Sequence, residues 1–172
     1  VFKDPDFDDR TWTNITLPSA WSANGITQME HTFGWYRIHF TAPLSLTKQA
    51  CLLFAGMIDD ADETYLNGVK IGSTGTFPPN DQSAWDAQRK YPIPKGVLKQ
   101  TNVLAIKVYN GILDAGLYGG KFYVTTVKAY EALLKKQLSN LHSQHQLTTS
   151  NGLVAAVYHD ERHTIEAFYP HI

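Results

Sequence analysis

The sequence predicts an all-β protein, a sandwich of short antiparallel strands, followed by one helix and the beginning of a second β unit. Two local features and one change of composition predict it. Through residue 128, short extended segments alternate with turn chemistry at the intervals typical of a sandwich. Within that stretch Tyr65-Leu66-Asn67-Gly68-Val69-Lys70-Ile71 places the strongest two-residue hairpin signal between two extended runs, because Asn and Gly both accept positive φ. At Tyr130 the composition changes, and Leu134, Leu138 and Leu141 recur at helical spacing among Lys, Gln and Ser.

The elements follow in order. Trp35 to Ala42 alternates in part, as a strand with one covered face does. Ala50 to Ala55 is continuously apolar and reads as a strand buried on both faces. The hairpin at Asn67-Gly68 comes next, preceded by the acidic run Asp59, Asp60, Asp62 and Glu63. In 102–109, Leu104, Ile106 and Val108 alternate with Val103, Ala105 and Lys107, a strand covered on most of both faces. Phe122 to Lys128, rich in Tyr, Val and Thr, closes the series, since β-branched content argues against helix. A helix of about four turns is expected over Tyr130 to Gln146. Leu153 to Tyr158 and Thr164 to Tyr169 then flank a five-residue connection as a hairpin. The expected organisation is a sandwich over 1–128, a connector helix over 129–148, and the start of a following domain over 149–172. The apolar run that reaches Ile172 is read as a strand whose partners lie beyond it, and the chain as a fragment.

Four ordered segments carry a family resemblance: Asp4 to Trp21 (DPDFDDRTWTNITLPSAW), Trp35 to Pro43 (WYRIHFTAP), Gly56 to Pro79 (GMIDDADETYLNGVKIGSTGTFPP) and Asn102 to Gly120 (NVLAIKVYNGILDAGLYGG). Together they resemble the sugar-binding jelly-roll domain of family 2 glycoside hydrolases, a module also attached to sialate O-acetylesterases. The resemblance covers about residues 2 to 128. It implies a galactose-binding-domain-like jelly roll, non-catalytic in itself, whose partners are carbohydrate and the catalytic domain of the same parent chain. The resemblance alone favours a periplasmic or extracellular setting.

Composition excludes several other classes. Fifteen basic residues against sixteen acidic give a net charge of −1, without the clustered basic excess that nucleic acid or an anionic membrane would demand. No apolar run approaches the roughly 20 residues that cross a bilayer. Cys51 is the only cysteine, so no intramolecular disulfide forms, and its place in Ala50-Cys51-Leu52-Leu53-Phe54 suits a small buried hydrophobe better than a nucleophile.

The densest chemistry is the acidic run 59–63. A glycosidase pair must converge on one bond from opposite flanks about 5 to 9 Å apart, whereas neighbours on a strand point to alternating sides. The run therefore reads as turn-capping carboxylates with solvent around the rest. A structural calcium ion suits oxygen ligands but is not favoured, because the spacing lacks the glycine and distal glutamate of an EF-hand loop. His142 and His145 share a helix face and His159 and His163 flank a turn, but no third ligand accompanies either pair, while His31 and His39 stand apart. No metal site and no cofactor are expected. No G-x-S-x-G elbow, H-E-x-x-H pair or P-loop occurs, so no catalytic residue is assigned.

Binding residues are sought instead. Gly111, Gly116, Gly119 and Gly120 predict a mobile, tightly turning loop after the long strand. The resemblance implies that this loop reaches a neighbouring active site, with Asp114 as its acid, although Leu117 and Tyr118 stand where the family often has an aromatic and a basic residue. Trp85, Asp86, Gln88, Arg89 and Tyr91 combine an aromatic platform with planar hydrogen-bonding groups, as sugar sites do. The candidate substrate-binding residues are Asp114, Tyr118, Trp85 and Arg89. Trp12, Trp21 and Trp35 are expected as core anchors. The function expected is an accessory module of a glycoside hydrolase that orients the catalytic domain and lends a loop to the substrate cleft. The alternatives are an autonomous carbohydrate-binding module and an accessory domain of a sialate O-acetylesterase.

Overall fold

The structure is a computed structural model that describes residues 1–27, 29–144, 147–148, 154–159 and 164–168. The chain divides into two compact units, Val1–Val127 and Lys128–Ile172.

The first unit is a sandwich of two antiparallel sheets. One has strand order β1-β6-β3-β4, from β1 (Thr32–Thr41), β3 (Ala61–Leu66), β4 (Val69–Thr74) and β6 (Thr101–Asn110). The other has order β5-β2-β7, from β2 (Cys51–Asp59), β5 (Gln88–Ile93) and β7 (Gly116–Thr126). Leu53, Ile58, Ile106, Val108 and Leu117 fill the space between them, with Trp21 closing one side. Fully burying side chains of this size contributes about 1.5 to 3 kcal/mol each. Central position explains the apolar runs: β6 lies between β1 and β3, β2 between β5 and β7, and Cys51 is buried in β2 with burial pushing its thiol up.

The hairpin forms as expected. Leu66 pairs with Val69, while Asn67 and Gly68 take φ of 50° and 83°. Asn67 adds a tie of its own, because its side chain donates to Val97 O and accepts from Val103 N–H.

Two expectations are corrected here. Gly116 to Gly120 are not a mobile loop but the first half of β7, paired through bulges with Met57 and Asp59. Their glycine content serves close approach, since a Cβ at Gly56 would lie 2.2 Å from the Gly119 carbonyl oxygen. Of the three tryptophans, only Trp21 joins the inter-sheet core. Trp12 and Trp35 are half-buried on the outer face, where they pack with Phe2 beneath residues 2–12. Arg37 pins that segment by donating to the carbonyls of Phe2, Asp4 and Phe7 and to the Asp9 carboxylate.

The second unit holds helix α1 (Val127–Gln144) and three short antiparallel strands in order β10-β9-β8: β8 (Leu147–Thr148), β9 (Val154–His159) and β10 (Thr164–Phe168). The helix starts three residues before Tyr130, directly from β7. Leu134 and Leu138 of its expected apolar stripe are exposed. Of the expected five-residue connection at 159–163, His159 ends β9 while residues 160–163 lie outside the described residues, as do the side chains of His142, His145, His159 and His163.

Candidate functional site

One end of the sandwich carries a cleft of about 530 Å³, lined by His31, Asp59, Asp60, Asp81, Trp85 and Tyr109 together with the 111–113 loop. Four chain segments meet there: the stretch before β1, the β2–β3 corner, the long β4–β5 connection, and the end of β6 with the β6–β7 connection.

Asp60 rivets the last three of them. Its Oδ2 accepts the Gly111 N–H at 2.8 Å and its Oδ1 accepts the Ser83 hydroxyl, while its own N–H donates to Tyr109 O and its carbonyl accepts from Ala84 N–H. Burial works to raise its pKa, but the Ser83 and Gly111 hydrogen bonds hold the carboxyl below the ordinary range. Its neighbour behaves oppositely. Burial, then the adjacent Asp60, pushes Asp59 up to about 7. The expected alternation of the acidic run fails at this point, because the chain turns at the corner and both carboxylates line the same cleft.

Asp62 is no solvated turn acid either. It is fully buried with Arg89, whose Nε donates to Asp62 Oδ1 at 2.9 Å, and it also accepts from the Thr64 and Tyr91 hydroxyls. Glu63 pairs across the hairpin with Lys70 at 2.6 Å.

The four candidate binding residues fall differently. Trp85 is 51% exposed and stands on the cleft wall. Tyr118 is half-buried, and its hydroxyl donates to Trp85 O at 2.6 Å, so it supports the wall. Arg89 requires correction. It is 0% exposed, and besides Asp62 its guanidinium donates to the carbonyls of Asp60, Ala84 and Ala87, so no face of it meets a ligand. An Arg between two surface-looking residues reads as exposed in sequence, but one strand-facing position buries it.

Asp114 is likewise not a free loop acid. Its carboxylate accepts from Ser22 N–H and Oγ–H and from Ala115 N–H. Burial raises it, yet these bonds dominate and hold it below the usual carboxylate range. It locks the loop to the 3-10 turn Ser22–Asn24. The residues the loop actually presents are Ile112 and Leu113, 62% and 75% exposed, with Leu113 at φ 62° and its carbonyl held by Asn110 Nδ2. Sequence reasoning passed over them, although two adjacent aliphatic residues between Gly111 and Asp114 were the available signal. It also missed Asp81 and Tyr109, which only the fold brings to Asp60. His31, set aside as isolated, lies with its Nδ1 3.3 Å from the Tyr109 hydroxyl.

Among the described residues no group of three or more His, Cys, Asp or Glu side chains is arranged to hold a metal ion. Among the described residues no helix is long and apolar enough to cross a membrane.

A family model described as "Beta-galactosidase second all-beta domain" matches residues 3–114. No curated protein matches the sequence. Among solved structures, the chain is similar to a Bacteroides uniformis beta-glucuronidase, with 23% identity, a TM-score of 0.56, and coverage of 71% of this chain and 15% of that one. It is also similar to a Bacteroides vulgatus beta-glycosidase, with 18% identity, a TM-score of 0.50, and coverage of 72% and 17%. A family 2 glycosyl hydrolase from Bacteroides cellulosilyticus DSM 14838 gives 20% identity, a TM-score of 0.50, and coverage of 67% and 17%. The chain thus spans about a sixth of the length of these enzymes, and the likeness speaks for the fold. With the family model covering well over half its length, the chain belongs to the beta-galactosidase second all-beta domain family, accessory all-β domains of family 2 glycoside hydrolases.

Proposed function

We propose that this chain is a non-catalytic module of a larger glycoside hydrolase, that it orients the catalytic domain, and that its cleft end helps to shape the substrate cleft. The observation that carries the reading is the combination, at one end of the sandwich, of an exposed Trp85 with a loop held rigid by Asp60, Asn110 and Asp114. An aromatic face suits a pyranose ring, and a preorganised loop loses little entropy when a neighbouring domain or a saccharide meets it. Within this reading Trp85 is the contact residue, while Tyr118 and Asp114 hold the wall and the loop in place.

The test is steady-state kinetics of the full-length parent carrying Trp85→Ala, beside thermal melting of the chain alone. A fall in kcat/KM of about tenfold, equivalent to about 1.4 kcal/mol, with unchanged melting, is expected. The chain alone should turn over neither aryl glycosides nor acetyl esters. Unaltered parent kinetics would remove the cleft from the proposal and leave a scaffold. Glycan binding by the isolated chain, abolished by Trp85→Ala, would favour an autonomous carbohydrate-binding module instead.

A further inference from the structure

Trp85 is exposed, yet the turn that carries it is held on every side. Ala84 to Ala87 close as a β-turn, with the Ala87 N–H donating to Ala84 O at 3.0 Å. The Ala84 N–H donates to Asp60 O, and Trp85 O accepts the Tyr118 hydroxyl at 2.6 Å. The remaining ties come from one side chain. Arg89 Nη1 donates to Ala84 O and to Ala87 O, one on each side of Trp85, and Nη2 donates to Asp60 O at the cleft corner.

Arg89 reaches the turn from inside the sandwich, because its place in β5 faces inward and its side chain is wholly buried. Its Nε donates to Asp62 Oδ1, and the Thr64 and Tyr91 hydroxyls hold Asp62 in turn. A planar guanidinium can serve one carboxylate and three carbonyls at once, whereas the point charge of a lysine ammonium has neither the donors nor the fixed fork. Stability alone does not account for the pair. A buried ion pair replaced by apolar side chains of similar volume often leaves a protein equally or more stable, since desolvation offsets the attraction. Apolar side chains cannot fix carbonyls, so the task specific to this pair is the ordering of the turn. Without it, Trp85 would sit on a long connection in which the Thr76–Gln82 bridge is the nearest backbone pairing.

We propose that Arg89, with Asp62 as its counter-ion, is a positioning residue for Trp85: it touches no ligand and fixes the backbone from which the indole is presented to a saccharide. Its bearing on substrate rests on the reading of Trp85 as the contact residue, whereas the ordering of the turn is a property of the chain by itself.

The measurement is ¹⁹F spectroscopy of the chain labelled with fluorotryptophan, the Trp85 line being assigned by its loss in Trp85→Phe. The unmodified chain should give one narrow Trp85 line. Arg89→Met combined with Asp62→Leu removes the buried charge together with the donors. In that double variant the Trp85 line should broaden or split while the lines of Trp12, Trp21 and Trp35 stay in place. A Trp85 line that is already split in the unmodified chain overturns the proposal, as does one unchanged in the folded double variant or an equal disturbance of all the tryptophans. If the double variant does not fold, the Arg89 guanidinium of the unmodified chain decides. Separately resolved Nη–H signals with cross-peaks to residues 84 and 87 support the positioning role, and a single averaged signal overturns it. In the full-length parent the double variant should lower kcat/KM by about two- to tenfold, the range for ordering one side chain at an interface. That loss should vanish when Trp85 is already Ala, and an equal loss with and without Trp85 overturns the role. A parent indifferent to Trp85→Ala would instead sink the proposed function, while the fluorine lines still decide the ordering of the turn.

Discussion

Arg89 offers the sharpest perturbation of this fold. Its side chain and that of Asp62 are both 0% exposed, and their N–O distance is 2.9 Å. The same guanidinium donates to Ala87 O at 2.6 Å and Asp60 O at 3.0 Å. Arg89→Met keeps most of the volume and removes every donor. The three carbonyls belong to half-buried residues, so their loss is expected to cost less than that of the fully buried carboxylate. Asp62 cannot recover, because it would remain a buried charge held only by the Thr64 and Tyr91 hydroxyls. Breaking one side of a buried pair costs about 3 to 5 kcal/mol, a large share of the roughly 5 to 15 kcal/mol that stabilises a domain. At about 2 to 4 °C per kcal/mol for a domain of this size, thermal unfolding should move down by roughly 6 to 20 °C. Urea unfolding followed by circular dichroism checks the free energy independently. A double variant separates the orphaned charge from the lost packing. If the cost lies mainly in the orphaned carboxylate, Arg89→Met combined with Asp62→Leu should be less destabilised than Arg89→Met alone. A single variant within 1 kcal/mol of the unmodified chain, or a double variant showing simple addition of two large losses, would refute the account.

Two further outcomes follow from the loops. Gly68→Val places a β-branched residue at φ 83° and should cost about 1 to 3 kcal/mol, read as a lowered Tm; an unchanged Tm would mean that the turn tolerates another geometry. Asp114→Ala should cost about 1 kcal/mol at neutral pH through loss of the Ser22 and Ala115 bonds. Because Asp114 is held below its ordinary value, that contribution is present above the unfolded value and vanishes as pH falls through the folded one, so melting of the variant and the unmodified chain should converge in acid.

The sequence by itself determined the all-β class, the Asn67-Gly68 hairpin, the buried strands around Cys51 and Ile106, the helix after the sandwich, and the family. Each is a local or periodic property: a turn needs φ values that two residues accept, and a strand buried on both faces needs a continuous apolar run. The candidate site was legible only in part: Trp85 does line the cleft, exposed, while Asp114 stands in the expected connection with its carboxylate bonded to Ser22 and Ala115. Arg89 was misread because burial of a cation depends on a partner, and Asp62 lies 27 positions away. Gly116 to Gly120 resembled a loop because glycine signals both freedom and close approach, and only the facing Gly56 decides between them. The cleft itself is a tertiary fact. Asp60 meets Ser83 and Gly111 across separations of 23 and 51 residues, and the charge crowding that sets Asp59 apart arises only when the chain folds those segments onto one corner.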